Sequence, residues 1–377
     1  MRNLFFYGSL RHLPLLEVVL GRAADDIDTM DATLSGYRVS AVAEGPFPMI
    51  ETQAGQTAKG VLVRGLTSDD IARLDFYEGS FAYDLVPVTL SGGQAAEVYV
   101  PQAGLWTADG PWSLTTWAEK SGEMSVIAAQ EVMGYFGQRT RDDVAAMFPV
   151  IRARADAQLR AARSLHGQDS FPGHVEVLSR TRSYSNFYAL DDITLRHSRF
   201  DGTLSDSLDR AVLIDADAAI VLPYDPLRDR VLLVEQVRLG PIARGDRASW
   251  QLEPVAGRID PGETPEQAAR REAKEEAGLA LGRLEKIAET YPSPASSTGF
   301  YYVYLGLADL PDALAGIGGL DAENEDIRSH LLSFDDLMAR VARFDLANAP
   351  VVMAAYYLAH HRDRLRSEGA TDTPDRE

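Results

Sequence analysis

Short apolar runs separated by turn residues characterise the first hundred residues of the chain. Such runs predict strands, whereas apolar positions that recur every three or four residues predict helices. Strands are predicted at residues 4–7, 36–43, 60–65 and 83–90, and a helix is predicted at residues 69–77. This mixture predicts an α+β domain over residues 1–110.

The pattern changes twice after this point. Residues 111–168 are rich in alanine and predict helices at 125–136 and 142–164, which form a helical extension or linker. Residues 169–366 alternate strands with helices, including a closing helix at 351–362, and predict an α/β domain. The polar tail, residues 367–377, is predicted to be disordered. The fold class is therefore mixed α+β and α/β, in two domains.

One helix in the second domain has a clear start and end. Thr264 can cap the first amides, Pro265 suits the first helical position, and Gln267 completes a capping box. Gly278 is placed to end the helix. Between them, the spacing of the glutamates at 272, 275 and 276 puts their side chains on one face.

Three like charges on one face repel each other unless cations lie beside them. Carboxylate oxygens are hard ligands and the chain has no cysteine, so Mg²⁺ or Mn²⁺ is favoured over zinc. The alternative is an ordinary acidic helix face. That alternative does not explain why Gly257, Glu263, Arg271 and Gly278 flank the glutamates at fixed intervals.

The segment from Gly257 to Leu279 resembles the Nudix box of the Nudix hydrolases, with a small Ala273 where a larger apolar residue is often found. In that family the helix glutamates hold divalent metals against a diphosphate, and water attacks phosphorus. The resemblance implies an α/β/α sandwich. It also implies the following roles: Glu272 and Glu276 as main metal ligands and catalytic residues, Glu275 and the Ala256 carbonyl as further ligands, and Glu263 and Arg271 as orienting residues.

Two flanking segments resemble the ADP-ribose diphosphatase branch of that family. They are Trp250-Gln251-Leu252-Glu253 and the acidic run at residues 322–328. The resemblance implies that Glu323 is the general base and that Glu325 is an additional metal ligand. The alternative for the acidic run is a solvated loop.

A diphosphate substrate needs local cations, because the chain carries a formal net charge of −19. The candidates are Arg238, which matches a phosphate-contacting arginine of the family, together with Arg199 and Arg210. Glu253 is placed with these substrate-binding residues, and Phe187, next to Tyr188, is a candidate to stack on adenine. The alternatives are surface ion pairs for the arginines and a buried strand position for Phe187.

The first domain carries a second resemblance. Tyr7-Gly8-Ser9-Leu10, followed by Glu78-Gly79 and Tyr83, is similar to the γ-glutamylcyclotransferase fold, also called AIG2-like, with a mixed, barrel-like sheet. In active members the turn presents amides to an anionic group of the substrate, and the glutamate moves a proton during cyclisation. The alternative is that Glu78 is a retained fold element without catalytic duty.

Composition limits the setting in which the protein works. The chain lacks cysteine, a run of about 18 apolar residues and a signal-like cleavage site, which predicts a cytoplasmic location and no membrane partner. Its acidic balance disfavours nucleic acid as a partner.

The order of the two domains resembles bacterial tellurite-resistance proteins of the TrgB type. Members of the diphosphatase branch usually form homodimers that exchange N-terminal strands, so residues 184–194 are expected to complete the neighbouring subunit's site. We expect a magnesium-dependent hydrolase that splits ADP-ribose, or a related nucleotide sugar, into AMP and a sugar phosphate. The alternatives are a bifunctional enzyme with cyclotransferase activity in the first domain and a non-catalytic sensor of ADP-ribose-type ligands.

Overall fold

The computed structural model describes residues 1–78, 83–164, 170–318 and 326–371. The chain divides into two compact units, Met1–His166 and Gly167–Glu377. The alanine-rich segment that follows residue 110 therefore belongs to the same unit as the residues before it.

A six-stranded sheet in the order β4-β5-β1-β3-β2-β6 forms the centre of the first unit. Its strands are β1 Arg2–Phe6, β2 Thr29–Val42, β3 Gly45–Leu66, β4 Tyr83–Thr89, β5 Ala95–Pro101 and β6 Ala108–Pro111. β1 is antiparallel to β3 and parallel to β5. Successive side chains of a strand point to opposite faces. Leu4 and Phe6 accordingly enter one apolar core, while Phe5 and Tyr7 enter another.

Helices cover one face of this sheet. They are α1 Leu13–Leu20, α2 Ser68–Glu78, α3 Leu114–Trp117, α4 Glu123–Gly134 and α5 Arg141–Arg163. The helices predicted at 69–77, 125–136 and 142–164 are confirmed as α2, α4 and α5, to within two residues at each end. The side chains of α4 and α5 share a core with α1 and α2, so these helices are an integral layer of the first unit.

An eight-stranded sheet forms the centre of the second unit, with the path β14-β15-β10-β11-β17-β16 and with β12 and β13 paired to β11 and β10. Its strands are β10 Ala218–Asp225, β11 Arg230–Val237, β12 Trp250–Glu253, β13 Val255–Arg258, β14 Leu284–Thr290, β15 Tyr301–Leu307, β16 Gly316–Gly318 and β17 Ile327–Ser333. A separate three-stranded sheet, β7 Val175–Ser185, β8 Ala189–His197 and β9 Leu208–Ile214, precedes it.

Helices lie on both faces of the eight-stranded sheet. α7 Pro265–Ala277 lies on one face, and α8 Phe334–Ala342 and α9 Ala349–Thr371 lie on the other, whereas the short α6 Leu239–Arg244 follows β11 and has no buried residue. Apolar residues of α7 pack in one core with Val221 and Val234, and those of α8 and α9 pack in another with Leu222 and Leu233. The predicted α/β/α layering is thus present.

Three predicted elements have wrong bounds. The strand predicted at 60–65 is the last part of β3, which begins at Gly45. The strand predicted at 36–43 is part of the longer β2, because Gly36, at φ +82°, forms a bulge at which the pairing with β3 shifts and then continues. The closing helix extends past Ser367 to Thr371, into the segment predicted to be disordered. Glu368 forms ion pairs with Arg283 and Arg364 there, which holds this part of the helix in place. Residues 372–377 lie outside the described residues.

In the part of the chain that the structure describes, no helix combines the length and the apolar character needed to cross a membrane.

Candidate functional site

The sequence around α7 fixes both ends of this helix. The Thr264 hydroxyl accepts a hydrogen bond from the Gln267 amide at 3.2 Å, and the Gln267 side chain accepts one from the Thr264 amide at 2.8 Å. Gly278 ends the helix in the left-handed conformation, at φ +63°. Because these signals are local, the sequence predicted the helix correctly.

Gly257 leaves room for a carboxylate of α7. A Cβ atom added to Gly257, on β13, would lie 1.9 Å from Oε1 of Glu272 and 2.0 Å from its Cδ. The carboxylate therefore occupies the space that any other side chain at position 257 would fill. This contact explains why a glycine is needed fifteen residues before Glu272.

Glu276 is turned into the protein on the next turn of the helix. It is 2% exposed, and its Oε2 accepts a hydrogen bond from the Ala256 amide at 3.3 Å. The sequence resemblance predicted that Ala256 would act through its carbonyl oxygen. The contact found between these two residues is made by the Ala256 amide, so the role of the carbonyl stays a prediction.

Arg271 holds the remaining carboxylates of the cluster. Its guanidinium donates to both oxygens of Glu263 at 2.9 Å, to Glu272 at 2.6 Å and to Glu275 at 3.0 Å. The bonds to Glu263 contribute most to a raised pKa of Arg271, against the effect of burial. Burial alone would raise the pKa of Glu263, but the bonds from Arg271 outweigh it and lower that pKa. The predicted orienting pair is thus in contact.

The donor set of this cluster suits a hard divalent cation. Its side chains are carboxylates, and one of them lies against a bare backbone position on β13. Within residues 1–78, 83–164, 170–318 and 326–371, no three His, Asp or Glu side chains already converge closely enough to hold a metal. Arg271 supplies the positive charge between Glu272 and Glu275 in this arrangement.

Arg238 and Glu253, both predicted to bind substrate, form an ion pair at 2.6 Å. On the paired strands β11 and β12 the residue opposite Glu253 is Val234, so the ion pair is made by the length of the Arg238 side chain and not by the register of the strands. Burial opposes the charge of Arg238, but the hydrogen bonds that it donates to Glu253, together with the charges of Glu253 and Glu276, raise its pKa. Arg238 is therefore within electrostatic reach of the α7 cluster.

Phe187 lies beside the same strand as Gly257. The Arg258 guanidinium carbon is 3.6 Å from the centre of the Phe187 ring, and Arg258 also pairs with Asp215 at 3.6 Å. Phe187 is 56% exposed, so it is not the buried strand aromatic of the alternative interpretation. The sequence analysis missed Arg258 and Asp215; only the position of Arg258 next to Gly257 could have indicated the first of them.

Arg199 and Arg210 lie elsewhere in the same chain. Arg199 follows β8 and is 3.5 Å from Asp206, whereas Arg210, on β9, donates to the Asp209 carbonyl at 2.8 Å. The strand β8 separates Arg199 from Phe187, and its nine residues span about 30 Å at about 3.3 Å per residue. The contacts shown for Arg199 and Arg210 are thus local ones, and their role in substrate binding stays a prediction. Glu323 and Glu325 lie outside the described residues.

The first unit contains a cavity of about 70 Å³ whose wall includes the Tyr7-Gly8-Ser9-Leu10 turn. A Cβ atom on Gly8 would lie 2.7 Å from Cγ of Pro48, which also lines the cavity. Glycine is therefore needed at position 8 because of this close approach. The contact shown is with Pro48, so the predicted approach of the turn to an anionic group of a substrate stays a prediction.

Glu78, at the end of α2, faces the same cavity. Burial raises its pKa to about 7. Burial also raises the pKa of Tyr7 and that of Tyr83, and the charge of Glu78 adds to both effects. The predicted turn and the predicted glutamate are thus brought together around one cavity.

Comparison with known proteins assigns a family to parts of both units. Residues 215–354 match the NUDIX domain, and residues 4–114 match the family described as gamma-glutamyl cyclotransferase, AIG2-like. A solved structure described as an ADP compounds hydrolase is similar with a TM-score of 0.41 and 19% identity, over 51% of this chain and 96% of that one.

The curated relatives match the second half of the chain. The ADP-ribose pyrophosphatase of Escherichia coli (strain K12) is 38% identical over 196 residues, which is 52% of this chain and 93% of the relative. That of Haemophilus influenzae is 34% identical over 49% of this chain and 85% of the relative. The GDP-mannose pyrophosphatase of Enterobacter sp. (strain 638) is 27% identical, over 49% and 94%. With the NUDIX match and the α7 cluster, these similarities establish that the chain belongs to the Nudix hydrolase family.

Proposed function

We propose that the second unit hydrolyses the diphosphate of ADP-ribose, or of a related nucleoside diphosphate sugar, to AMP and a sugar phosphate. The observation that carries this proposal is the seating of the Glu272 carboxylate against Gly257, one helical turn from the buried Glu276. Two acidic side chains are thereby presented from one helix towards one strand. The relative with the higher identity is an ADP-ribose pyrophosphatase, which favours that substrate over GDP-mannose.

Residues of this chain would bind the metal, position its ligands and accept a proton during the reaction. Glu272 and Glu276, with Glu275, Glu325 and the Ala256 carbonyl, would hold Mg²⁺ or Mn²⁺, which supplies charge neutralisation on the diphosphate when it is bound. Arg271 and Glu263 hold these carboxylates in position. Glu323 takes a proton from the attacking water. The oxygen of that water forms the new bond to phosphorus, and the anhydride bond breaks.

Arg238 and Phe187 are placed to recognise the substrate. Arg238 can exchange part of its bonding with Glu253 for a bidentate contact to phosphate, because its guanidinium is 40% exposed. Phe187 presents its exposed ring, backed by Arg258, to a purine base. Stacking on Phe187 would recognise the base of a nucleotide. It would not recognise the sugar beyond the diphosphate.

Two single replacements of glutamates distinguish metal binding from proton transfer. Glu276→Gln can still accept the bond from the Ala256 amide, so we expect it to fold but to lose both Mg²⁺ binding and AMP release. Glu323→Gln should bind Mg²⁺ and release AMP about 10²–10⁴-fold more slowly. Calorimetry with Mg²⁺ and an AMP-release assay with ADP-ribose measure both effects.

The matched control is Glu266→Gln, on the same helix, where the carboxylate accepts a bond from Tyr304 at 3.1 Å instead of facing the cluster. It should retain activity. Turnover like that of the wild type in both Glu276→Gln and Glu323→Gln would rule out the proposed chemistry. Tight binding of ADP-ribose by the wild type without AMP release would instead favour a non-catalytic sensor.

Adding one methyl group at Gly257 tests the seat of Glu272. In Gly257→Ala the new Cβ would overlap the carboxylate, and a flexible side chain can move aside without unfolding β13. We expect a loss of about 10–100-fold in Mg²⁺ affinity or turnover, as is usual for groups that orient metal ligands. Gly240→Ala is the control, since a Cβ at that position meets nothing within 4 Å. Equal activity of the two variants would contradict the role of Gly257.

A second candidate activity belongs to the first unit. With a pKa of about 7, Glu78 can both accept and donate a proton near neutral pH. In a γ-glutamyl compound, the α-amino nitrogen would attack the γ-carbonyl carbon. Glu78 would then take a proton from that nitrogen and give it to the departing amine, which releases 5-oxoproline. The cavity that Glu78 shares with the Tyr7 turn is the observation that favours this reaction.

Glu78→Gln tests this activity and the state of the carboxyl group together. The variant should lose 5-oxoproline release from a panel of γ-glutamyl compounds. In the wild type, folding raises the pKa of the Glu78 carboxyl group from 4.5 to about 7. Between these two pH values the folded protein therefore still holds a proton that the unfolded chain has already lost. The wild type should therefore lose stability relative to Glu78→Gln as the pH rises from about 5 to about 8. Thermal unfolding measures this, and parallel curves would contradict the raised pKa.

We further propose a homodimer that forms through the three-stranded sheet. Val175, Val177 and Tyr184 on β7 are each more than half exposed, and none of them belongs to an apolar core formed by the residues that the structure describes. A second copy would cover them, and would allow Arg199 and Arg210 to approach the partner's site. The cytoplasmic location of the protein and its link to tellurite resistance stay predictions.

Sedimentation velocity tests the dimer. Val177→Lys should shift the protein from dimer to monomer, because a charge would be buried at the contact. Leu227→Lys, which changes an exposed leucine in the turn after β10, should leave the dimer intact. A wild-type monomer at micromolar concentration would contradict the proposal.

A further inference from the structure

The cavity of the first unit is built from two parts of the chain. One part carries Tyr7, Ser9 and Glu78 and lies within the segment that matches the AIG2-like family, residues 4–114. The other part lies beyond that segment, on the helical extension. It contributes these lining residues: Trp117, Ser125, Phe148 and Arg152. One wall of the cavity therefore comes from outside the matched domain.

The helices of this wall are held firmly in place. Ala128 and Val132 of α4 and Ile151 of α5 are buried in the same core as Leu15 and Leu74. Between the two helices, Arg154 of α5 pairs with Glu131 of α4 at 2.5 Å, and the Arg154 side chain is 4% exposed. Breaking such a buried pair is costly, so α5 has a fixed position relative to the cavity.

The position of α5 determines which of its residues reach the cavity. Phe148 and Arg152 are four residues apart and share one helix face. The charge of Arg152 acts on the cavity wall, since it opposes the increase in the pKa of Tyr77 that burial and Glu78 cause. Tyr77 and Glu78 both line the cavity. Among the lining residues that the structure describes, Arg152 is the one with a permanent positive charge.

The size of the cavity limits its occupant. One water needs about 10–15 Å³ of cavity space, so about 70 Å³ gives room for roughly five to seven water-sized groups. This corresponds to a molecule of about amino-acid size. An anion of that size would find a guanidinium on the α5 wall and hydroxyl groups of Tyr7, Ser9 and Ser125 around it.

We propose that Arg152 binds a carboxylate of a small, amino-acid-derived ligand in this cavity, so that the helical extension sets its specificity for acidic molecules. The proposal deepens the second activity proposed above, but the binding it describes does not require turnover. Guanidinium forms bidentate bonds with carboxylate, and hydrogen bonds to charged groups are the stronger class. The remaining hydroxyl groups can bind the uncharged parts of the ligand.

The test compares two ligands that differ only in charge, 5-oxo-L-proline and 5-oxo-L-prolinamide. Their binding to the full-length chain is measured by calorimetry for the wild type, Arg152→Gln, Arg152→Lys and Arg163→Gln. We expect the wild type to prefer the acid by about 10–100-fold, in line with the strength of a charged hydrogen bond. Arg152→Gln should lose this preference, and Arg152→Lys should keep part of it.

Arg163→Gln is the matched control on the same helix, because Arg163 is exposed and pairs with Glu123 at 2.9 Å. It should retain the preference of the wild type. Three results would overturn the proposal. They are an unchanged preference for the acid in Arg152→Gln, an equal loss of affinity for both ligands in that variant, and no binding of the acid by the wild type at millimolar concentration. If the acid binds through Arg152 while γ-glutamyl compounds are not cyclised, the proposed activity fails and this inference stands.

Discussion

The guanidinium of Arg271 offsets the repulsion among the carboxylates that gather beside β13. It contacts Glu263, Glu272 and Glu275, while the backbone amide of Ala256 holds Glu276. Four acidic groups can therefore lie within one small region of a strongly anionic protein. Without this arginine, the acidic face of α7 would be held apart by its own charge.

Two acidic groups, one in each unit, are held in opposite ways. In the second unit, bonds from Arg271 lower the pKa of Glu263 and keep it charged. In the first unit, burial raises the pKa of Glu78 to about 7, so that its proton can be exchanged near neutral pH. A charged carboxylate suits metal binding, whereas an exchangeable proton suits acid–base chemistry. The difference follows from whether a cation lies within hydrogen-bonding distance.

Local chemistry made part of this structure predictable from sequence. The ends of α7 are set by Thr264, Gln267 and Gly278, which act on neighbouring residues, and the sequence predicted them correctly. Contacts between distant segments were not predictable in this way. The stacking of Arg258 on Phe187 joins β13 to the turn after β7 and leaves no spacing pattern in the chain. Likewise, the position of Arg152 in a cavity wall depends on how α5 packs, which helical periodicity does not reveal.

Alanine at three positions of α7 has an effect on geometry. Ala268, Ala269 and Ala273 are fully buried between the helix and the sheet, and each side chain is a single methyl group. Since a methyl group is small, these alanines let the helix pack close to the strands. These small side chains thereby help to set the distance between the glutamates of α7 and β13. A larger side chain at one of these positions would push the helix, and all of its glutamates with it, away from the strand.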